Sequence, residues 1–499
     1  MNLRSIIVSL AFCPCIRAHA QNTEQYRPTY HFTPAKNWTN DPNGVIYLNG
    51  VYHLYNQQNP FENKWGHMSW GHAISKDLVH WQHLPIAIPE KIDKDTTWIF
   101  SGCAVWDRDN TSGFCKGGGC IVAVYTADQP NLHKESQYIA YSNDGGMSFT
   151  NYANNPVIDL SRRDFRDPNV RWNDQLHQWL MVVAMPRDEK VRFYVSGDLK
   201  KWNLLSEFGP AGFTGGIWEC PSFFPVRAEG GDTTERWILM TSCGGGRHPQ
   251  MQYFVGHFDG NQFINDNPPD TRLLVDQGDV FYAAIPWNHT PPGQDILIGW
   301  LVPGQRPTSP WRGQMSIPRD MHIYQGSSGW RLREQPTAVI RSQLSGYQKK
   351  TVHDLSLPAA LPGGEAANSY WADFDLDAAP GTVAEINLGV GKTGAPAARI
   401  VFEPDSATLK LIVDPSAASG PEPDRTFHRI PLEKPGGHLQ LTVLMDKSSL
   451  ELFVNNGEAV LSTYLFPLEG ATGLSADTKK GSAKINSMTI YDLSNVRQP

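Results

Sequence analysis

Cysteine, basic clusters, helical periodicity and long apolar runs are all scarce in this chain, and each scarcity excludes something. Seven cysteines in 499 residues do not make a disulfide framework, and a chain of this length can build its own cores. Two of the seven, Cys13 and Cys15, lie in the N-terminal apolar stretch, leaving Cys103, Cys115, Cys120, Cys220 and Cys243. An odd count leaves at least one thiol free, while Cys115 and Cys120, flanking "KGGG", could close a small loop in an oxidising compartment. No Cys/His spacing suits zinc, and no HExxH, Walker or Rossmann pattern occurs, so neither a metal nor an organic cofactor is expected. The formal net charge is -7 with no dense Lys/Arg run, which makes nucleic acid and anionic membrane poor partners. No segment is apolar for long enough to span a bilayer. Long 3.6-residue periodicity is nearly absent.

The N-terminus reads as a secretory leader over residues 1–20. Arg4 supplies the positive end, Ile6 to Ile16 the apolar stretch, and Ala18-His19-Ala20 the small-x-small cleavage site. The expected location is therefore extracellular. Three acceptor sequons, at Asn37, Asn110 and Asn288, fit that compartment.

What is abundant is strand and turn. The 44 Gly and 37 Pro cut the chain into short runs rich in Val, Ile, Tyr, Phe and Trp, such as "GVIYLNGVYHLYNQ" and "RWILMTS". A weak repeat runs through them: "SKDLVHW", "YSNDGGMSF", "SGDLKKW" and "HFDGNQF" each offer a strand end, an Asp-containing turn and an aromatic. The spacing suits four-stranded propeller blades with long loops, with a fifth unit from about Asp279 to Arg319. Fourteen of the 16 Trp precede residue 320, so composition changes there. The segment from Arg333 to Lys350 is the one plausible short helix and reads as a linker; alternating short strands follow it. The expected architecture is all-β: a propeller over 24–335, a linker over 336–350 and a β-sandwich over 351–499.

Three acids stand out. In "NWTNDPNG", residues Asp41-Pro42-Asn43-Gly44 fit a type I turn. "FRDPNV" places Asp167 before Pro168, and "WECPSF" places Glu219 one residue from Pro221. Each has an aromatic close by (Trp38, Phe165, Trp218), and an acid directly before Pro is pushed towards extended backbone. The acids are 126 and 52 residues apart, which in a propeller puts them on different blades facing one channel. Retaining glycoside cleavage needs two carboxyls about 5–5.5 Å apart, one ionised and one proton-bearing. Glu219, between Trp218 and Cys220, suits the acid. Asp41, with Asn40 and Asn43 as donors, suits the nucleophile. Asp167 follows Arg166, whose charge would keep it ionised for binding sugar hydroxyls. Asp414-Pro415 lacks the aromatic and reads as a plain turn.

With "WGHMSWGHAISKDLVHW", "FSGCAV", "FYAA", "SPWRGQMSIPR" and "DKSSLELFVNNGE", these motifs resemble glycoside hydrolase family 32, the β-fructofuranosidases, over about Tyr26 to Asp492. The resemblance implies a five-bladed propeller plus β-sandwich and an exo-acting, retaining hydrolase of fructan or sucrose, as monomer or homodimer. Fructosyl transfer to a sugar acceptor and endo-cleavage are the alternatives. It implies Asp41 as nucleophile, Glu219 as acid/base and Asp167 as transition-state stabiliser. It places Asn40, Gln57, Trp65, Phe100, Ser101, Arg166 and Tyr282 around the terminal fructose, with Cys220 tuning Glu219. Departures from the family pattern are Thr39, where Met is usual, Asn56 and Gln58, where aromatics are common, and "LVPGQRPTSPWRG", which lacks a Trp placed near the leaving-group subsite in inulinase-like members. Thr39 creates the sequon at Asn37, which is expected to stay unmodified because a glycan there would obstruct the pocket.

Overall fold

A computed structural model describes residues 24–496, apart from 232–234, 247–248, 364–367, 421 and 423–424. The expected leader lies outside these residues. Strands dominate, as the alternating runs predict, and one α-helix occurs among the described residues, Ala338–Gln343, inside the expected linker and N-capped by Thr337. No helix among them is long and apolar enough to cross a membrane.

Up to Pro336 the strands form five sheets, each built on an antiparallel run of four strands, with an extra short strand, Ile158–Arg162, on the second and short insertions in the last. Their first strands are Asn37–Leu48, Trp98–Asp107, Arg166–Asn173, Ile217–Val226 and Phe281–Pro286. These five pack side by side in a closed circle, the last against the first. Separate apolar clusters fill the spaces between neighbouring sheets; Ile46, Tyr55 and Ile121 lie between the first and second, for example. Because sheets are covered on both faces, a strand such as "QWLMVVAM" is buried almost throughout rather than alternating. The circle is fastened where Trp311–Arg312, from the end of the fifth sheet's chain, pairs in parallel with Asn37 and Trp38.

The repeated aspartates do the same job in four sheets. Asp77, Asp144, Asp198 and Asp259 each accept two backbone N–H groups in the turn joining third and fourth strands. The fifth sheet has no such aspartate and runs on to Pro336, past the expected end at Arg319. Beyond it, two six-stranded antiparallel sheets enclose an apolar core that includes Phe374, Leu411 and Leu452. One of them also packs on the earlier sheets through Trp371, Leu444, Phe453 and Val460.

Candidate active site

All five inner strands are interrupted at the same height. Residues 40–41, 100–101, 167–168, 220–221 and 283–284 are pairs inserted opposite a single residue of the neighbouring strand. These are β-bulges, which re-aim side chains at the cost of local pairing. The turn expected at Asp41–Gly44 is therefore not formed; the stretch is the bulged middle of a 12-residue strand. Turn and bulge draw on the same residues, since Pro must avoid a ladder donor and Gly accepts positive φ. Gly44 has φ of 51°, and a Cβ there would lie 2.8 Å from Trp70 and Tyr55. The first inserted residue is left-handed in three strands: Asp167 (φ 66°), Cys220 (φ 46°) and Ala283 (φ 52°). Asp167 is thus not extended, as a residue before proline was expected to be. Such conformations are strained for residues with a Cβ and concentrate where side chains must be aimed.

The bulges bring the three acids to the axis. Asp41 Oδ2 accepts the Ser101 hydroxyl at 2.6 Å, and Asn40 also hydrogen-bonds to Asp41. Asp167 Oδ2 accepts the Cys220 backbone N–H at 2.9 Å. The Cys220 thiol lies between the two carboxylates, 3.7 Å from Asp41 Oδ2 and 3.6 Å from Asp167 Oδ2. Burial and the surrounding acids push that thiol up, so it stays protonated and can donate weakly to both. Cys220 therefore touches Asp41 and Asp167 rather than the Glu219 carboxylate it was expected to tune. Asn43 is not a donor to Asp41 either: its side-chain oxygen accepts the Gly102 N–H at 3.2 Å, on the second sheet.

Glu219 occupies a polar niche, not the apolar one its neighbours suggested. Strand alternation turns Trp218 into the core between sheets, where its indole donates to the Phe213 carbonyl. Glu219 Oε1 receives Arg166 Nε at 3.1 Å and Nη2 at 3.0 Å, and Oε2 receives the Tyr282 hydroxyl at 2.7 Å. Arg166 thus clamps Glu219 instead of pairing with its sequence neighbour.

Asp167 shows the consequence. Burial pushes it up to about 7; the Arg166 charge works against this, while Glu219 and Asp41 add to it. Burial also raises Asp41, opposed by Ser101 and Asn40 and assisted by the Glu219 charge. Among the described residues no Lys or Arg ion-pairs with Asp41 or Asp167.

The remaining expected residues surround this centre. Gln57 donates to the Ile99 carbonyl at 2.9 Å, joining the first and second sheets below Phe100. Trp65, 51% exposed, stands at the rim with its ring 6.1 Å from Phe100 and 5.3 Å from Trp98. Trp38 faces Trp300 at 5.9 Å and donates its indole N–H to Asn40. The sequence reading missed Trp98 and Trp300, although both adjoin residues it named. It also missed Glu135 and Asp164, which receive the third nitrogen of Arg166; a lone Glu in a strand carries no mark of its distant partner. Two of the departures, Thr39 and Asn56, are linked: the Asn56 amide donates to the Thr39 hydroxyl at 2.7 Å, which donates to the Gln57 carbonyl at 3.0 Å. Cys115 and Cys120 form a disulfide, and Cys103, Cys220 and Cys243 are free and buried.

A wider cavity of about 400 Å³ opens beside the fourth sheet, lined by Phe213, Arg272, Tyr324 and Glu433 among others; none of the three acids lines it.

The chain matches the family model for "Glycosyl hydrolases family 32 N-terminal domain" over residues 31–336, and that for "Glycosyl hydrolases family 32 C terminal" over 334–492. A levanase of Bacillus subtilis (strain 168) is 37% identical, covering 99% of this chain and 74% of that protein. An extracellular exo-inulinase of Aspergillus ficuum is 35% identical, covering 91% and 92%. Among solved structures, an exo-inulinase from Aspergillus awamori superposes with a TM-score of 0.85 at 33% identity, covering 94% of this chain and 98% of that one. A β-fructofuranosidase from Schwanniomyces occidentalis, complexed with fructosyl-erythritol, gives 0.82 at 29% identity, with the same coverage of 94% and 98%.

Proposed function

The chain belongs to glycosyl hydrolase family 32 and acts on β-fructofuranosides, and from that premise we propose that it is a secreted, retaining exo-β-fructosidase releasing terminal fructose from fructans and sucrose. The five sheets are then the blades of a five-bladed propeller over 24–335, followed by a linker and a β-sandwich that starts at about residue 351. Asp41 is the nucleophile. It attacks the anomeric carbon while Glu219 gives its proton to the departing oxygen, leaving a fructosyl ester on Asp41. Glu219, now a base, takes a proton from water, which cleaves the ester and returns the first state.

The observation that carries this reading is the convergence of three carboxyls from three sheets in two distinct settings. Glu219 is held by Arg166 and Tyr282. Asp41 and Asp167 share the Cys220 thiol, and among the described residues neither ion-pairs with a Lys or Arg. An oxocarbenium-like transition state carries positive charge next to these carboxylates, so the pair favours it over the neutral ground state. Tyr282 and Arg166 keep the Glu219 carboxyl directed at the leaving oxygen. Ser101 fixes the attacking oxygen of Asp41, and Asn40, Gln57, Phe100 and Trp65 shape the fructose pocket. We also propose that Asn37 carries no glycan: its amide nitrogen donates to the Pro60 carbonyl at 2.7 Å.

A product time course on sucrose, inulin and levan at matched fructosyl concentration tests the assignment. Free fructose from the earliest points, first released as the β-anomer, is the expected outcome. Early oligosaccharides from the polymers, or fructosylated sucrose, would overturn exo-hydrolysis in favour of endo-cleavage or transfer.

A further inference from the structure

We propose that Glu135 is a positioning residue for proton transfer: through Arg166 it orients Glu219 and limits the positive charge that Glu219 experiences. The inference rests on Glu219 being the acid/base. Glu135 lies on Lys134–Ser142, the third strand of the second sheet, two strands out from the axis and buried at 1% exposure. Both of its oxygens take Arg166 Nη1 at 3.1 Å, and Oε2 also accepts the Phe165 N–H at 2.9 Å. The guanidinium is therefore split: Nη1 is directed to Glu135 and to Asp164 (3.1 Å), leaving Nε and Nη2 for Glu219. A planar fork gripped at one end cannot rotate at the other.

The charges around this fork come from several elements. Asp128 sits directly across from Glu135, and Arg163 reaches both, at 3.3 and 3.6 Å. Asp164 is shared with Arg187 at 2.9 Å. Asp167 and Asp41 lie on the axial side, and Tyr282 closes Glu219 from the fifth sheet. Removing the Glu135 charge leaves Arg166 less neutralised, which favours the Glu219 carboxylate, so a smaller fraction of the enzyme carries the proton that the leaving oxygen needs. A group that merely balanced charge for folding would change stability and leave the proton inventory alone.

Glu135→Gln is the test, measured on the full-length enzyme. The alkaline limb of the kcat profile on sucrose should move to lower pH by about one unit, with kcat near neutrality reduced about tenfold and KM changed less than about twofold. Hydrolysis of 4-nitrophenyl β-fructofuranoside, whose leaving group needs little protonation, should be largely spared. Folded Glu135→Gln with a wild-type alkaline limb and equal losses on both substrates overturns the proposal. If that variant does not fold, Asp164→Asn tests the same transmission through Nη1; a smaller shift in the same direction is expected, and none overturns it. Glu219→Gln run alongside separates the two readings. Its nitrophenol burst is the readout, since its second step lacks the base: if the burst is spared while Glu135→Gln loses both substrates alike, only this inference falls; if the burst is lost, the acid/base assignment falls first.

Discussion

Arg166 at the axis and Arg319 at the junction with the C-terminal sheets each meet three carboxylates. Arg166 faces Glu135, Asp164 and Glu219; Arg319 faces Asp276, Glu334 and Glu451 at 2.7–3.0 Å. The difference is access. Arg319 and its partners are sealed, with the guanidinium also over the Phe281 ring at 4.2 Å and bonded to the Ser462 hydroxyl. Glu451 passes the network on to His31, and His31 to Asp446, which accepts the N–H groups of Thr29, Tyr30 and His31 itself. This set ties the fifth sheet, the N-terminal segment and one C-terminal sheet together. At the axis, the Glu219 side chain keeps 23% exposure and Asp164 21%, so the set is not closed over and Glu219 remains open to an incoming molecule. The same chemical groups therefore make a joint when closed over and, on the proposed assignment, reactive machinery when the set is left open.

The widest separation between the two regions should appear in catalysis. Asp41→Asn and Glu219→Gln are each expected to lower kcat on sucrose by about a thousandfold or more while melting like the parent, as steady-state kinetics beside thermal unfolding will register. Wild-type turnover in either would break the assignment. Next comes Arg319→Met, which strands three buried carboxylates. It should cost about 3–5 kcal/mol in urea unfolding with KM unchanged in the surviving folded enzyme. A loss of activity without a loss of stability would dissolve the contrast between joint and machinery.

A pH effect separates the regions more finely. Burial alone would lower His31, but its hydrogen bonds to Asp446 and Glu451 outweigh this and carry it up to about 9. A raised folded value means the stabilisation is complete below the ordinary histidine range near 6.5 and is lost as pH rises through about 9. Glu334, pushed up to about 7 by burial, works in the same direction. The melting temperature should fall between about pH 7 and 9.5, and His31→Gln should flatten that slope; a parallel slope in the variant would refute the joint's role. The smallest effect expected is at Thr39→Ala, which leaves the buried Asn56 amide without its hydroxyl partner and should cost about 1–2 kcal/mol, read from the urea midpoint.

Local rules carried the sequence reading a long way, and it stopped where they did. Alternating Val, Ile and aromatic runs marked the strands, and the Asp turns after Ser75, Ser142 and Ser196 marked the repeat, because each is made by residues within a few positions of one another. The motifs around Asp41, Asp167 and Glu219 were legible for the same reason. Their environment was not. Trp218 was read as a neighbour of Glu219, yet a strand sends adjacent side chains to opposite faces. Arg166 was read as the partner of Asp167, yet its fork closes on Glu219, 53 positions away in the chain.

By itself, then, the sequence determined the all-β character, the repeated turn, the short helix between the two groups of sheets and the motifs that carry the three carboxyls proposed to act, all of which depend on neighbours along the chain. Only the tertiary structure decided that a Pro- and Gly-bearing stretch becomes a bulge rather than a turn, that Cys220 lies between two carboxylates, and that one arginine seals a joint while another holds an acid open to the axis. Those outcomes turn on burial and on partners brought together from different sheets, which no local pattern specifies.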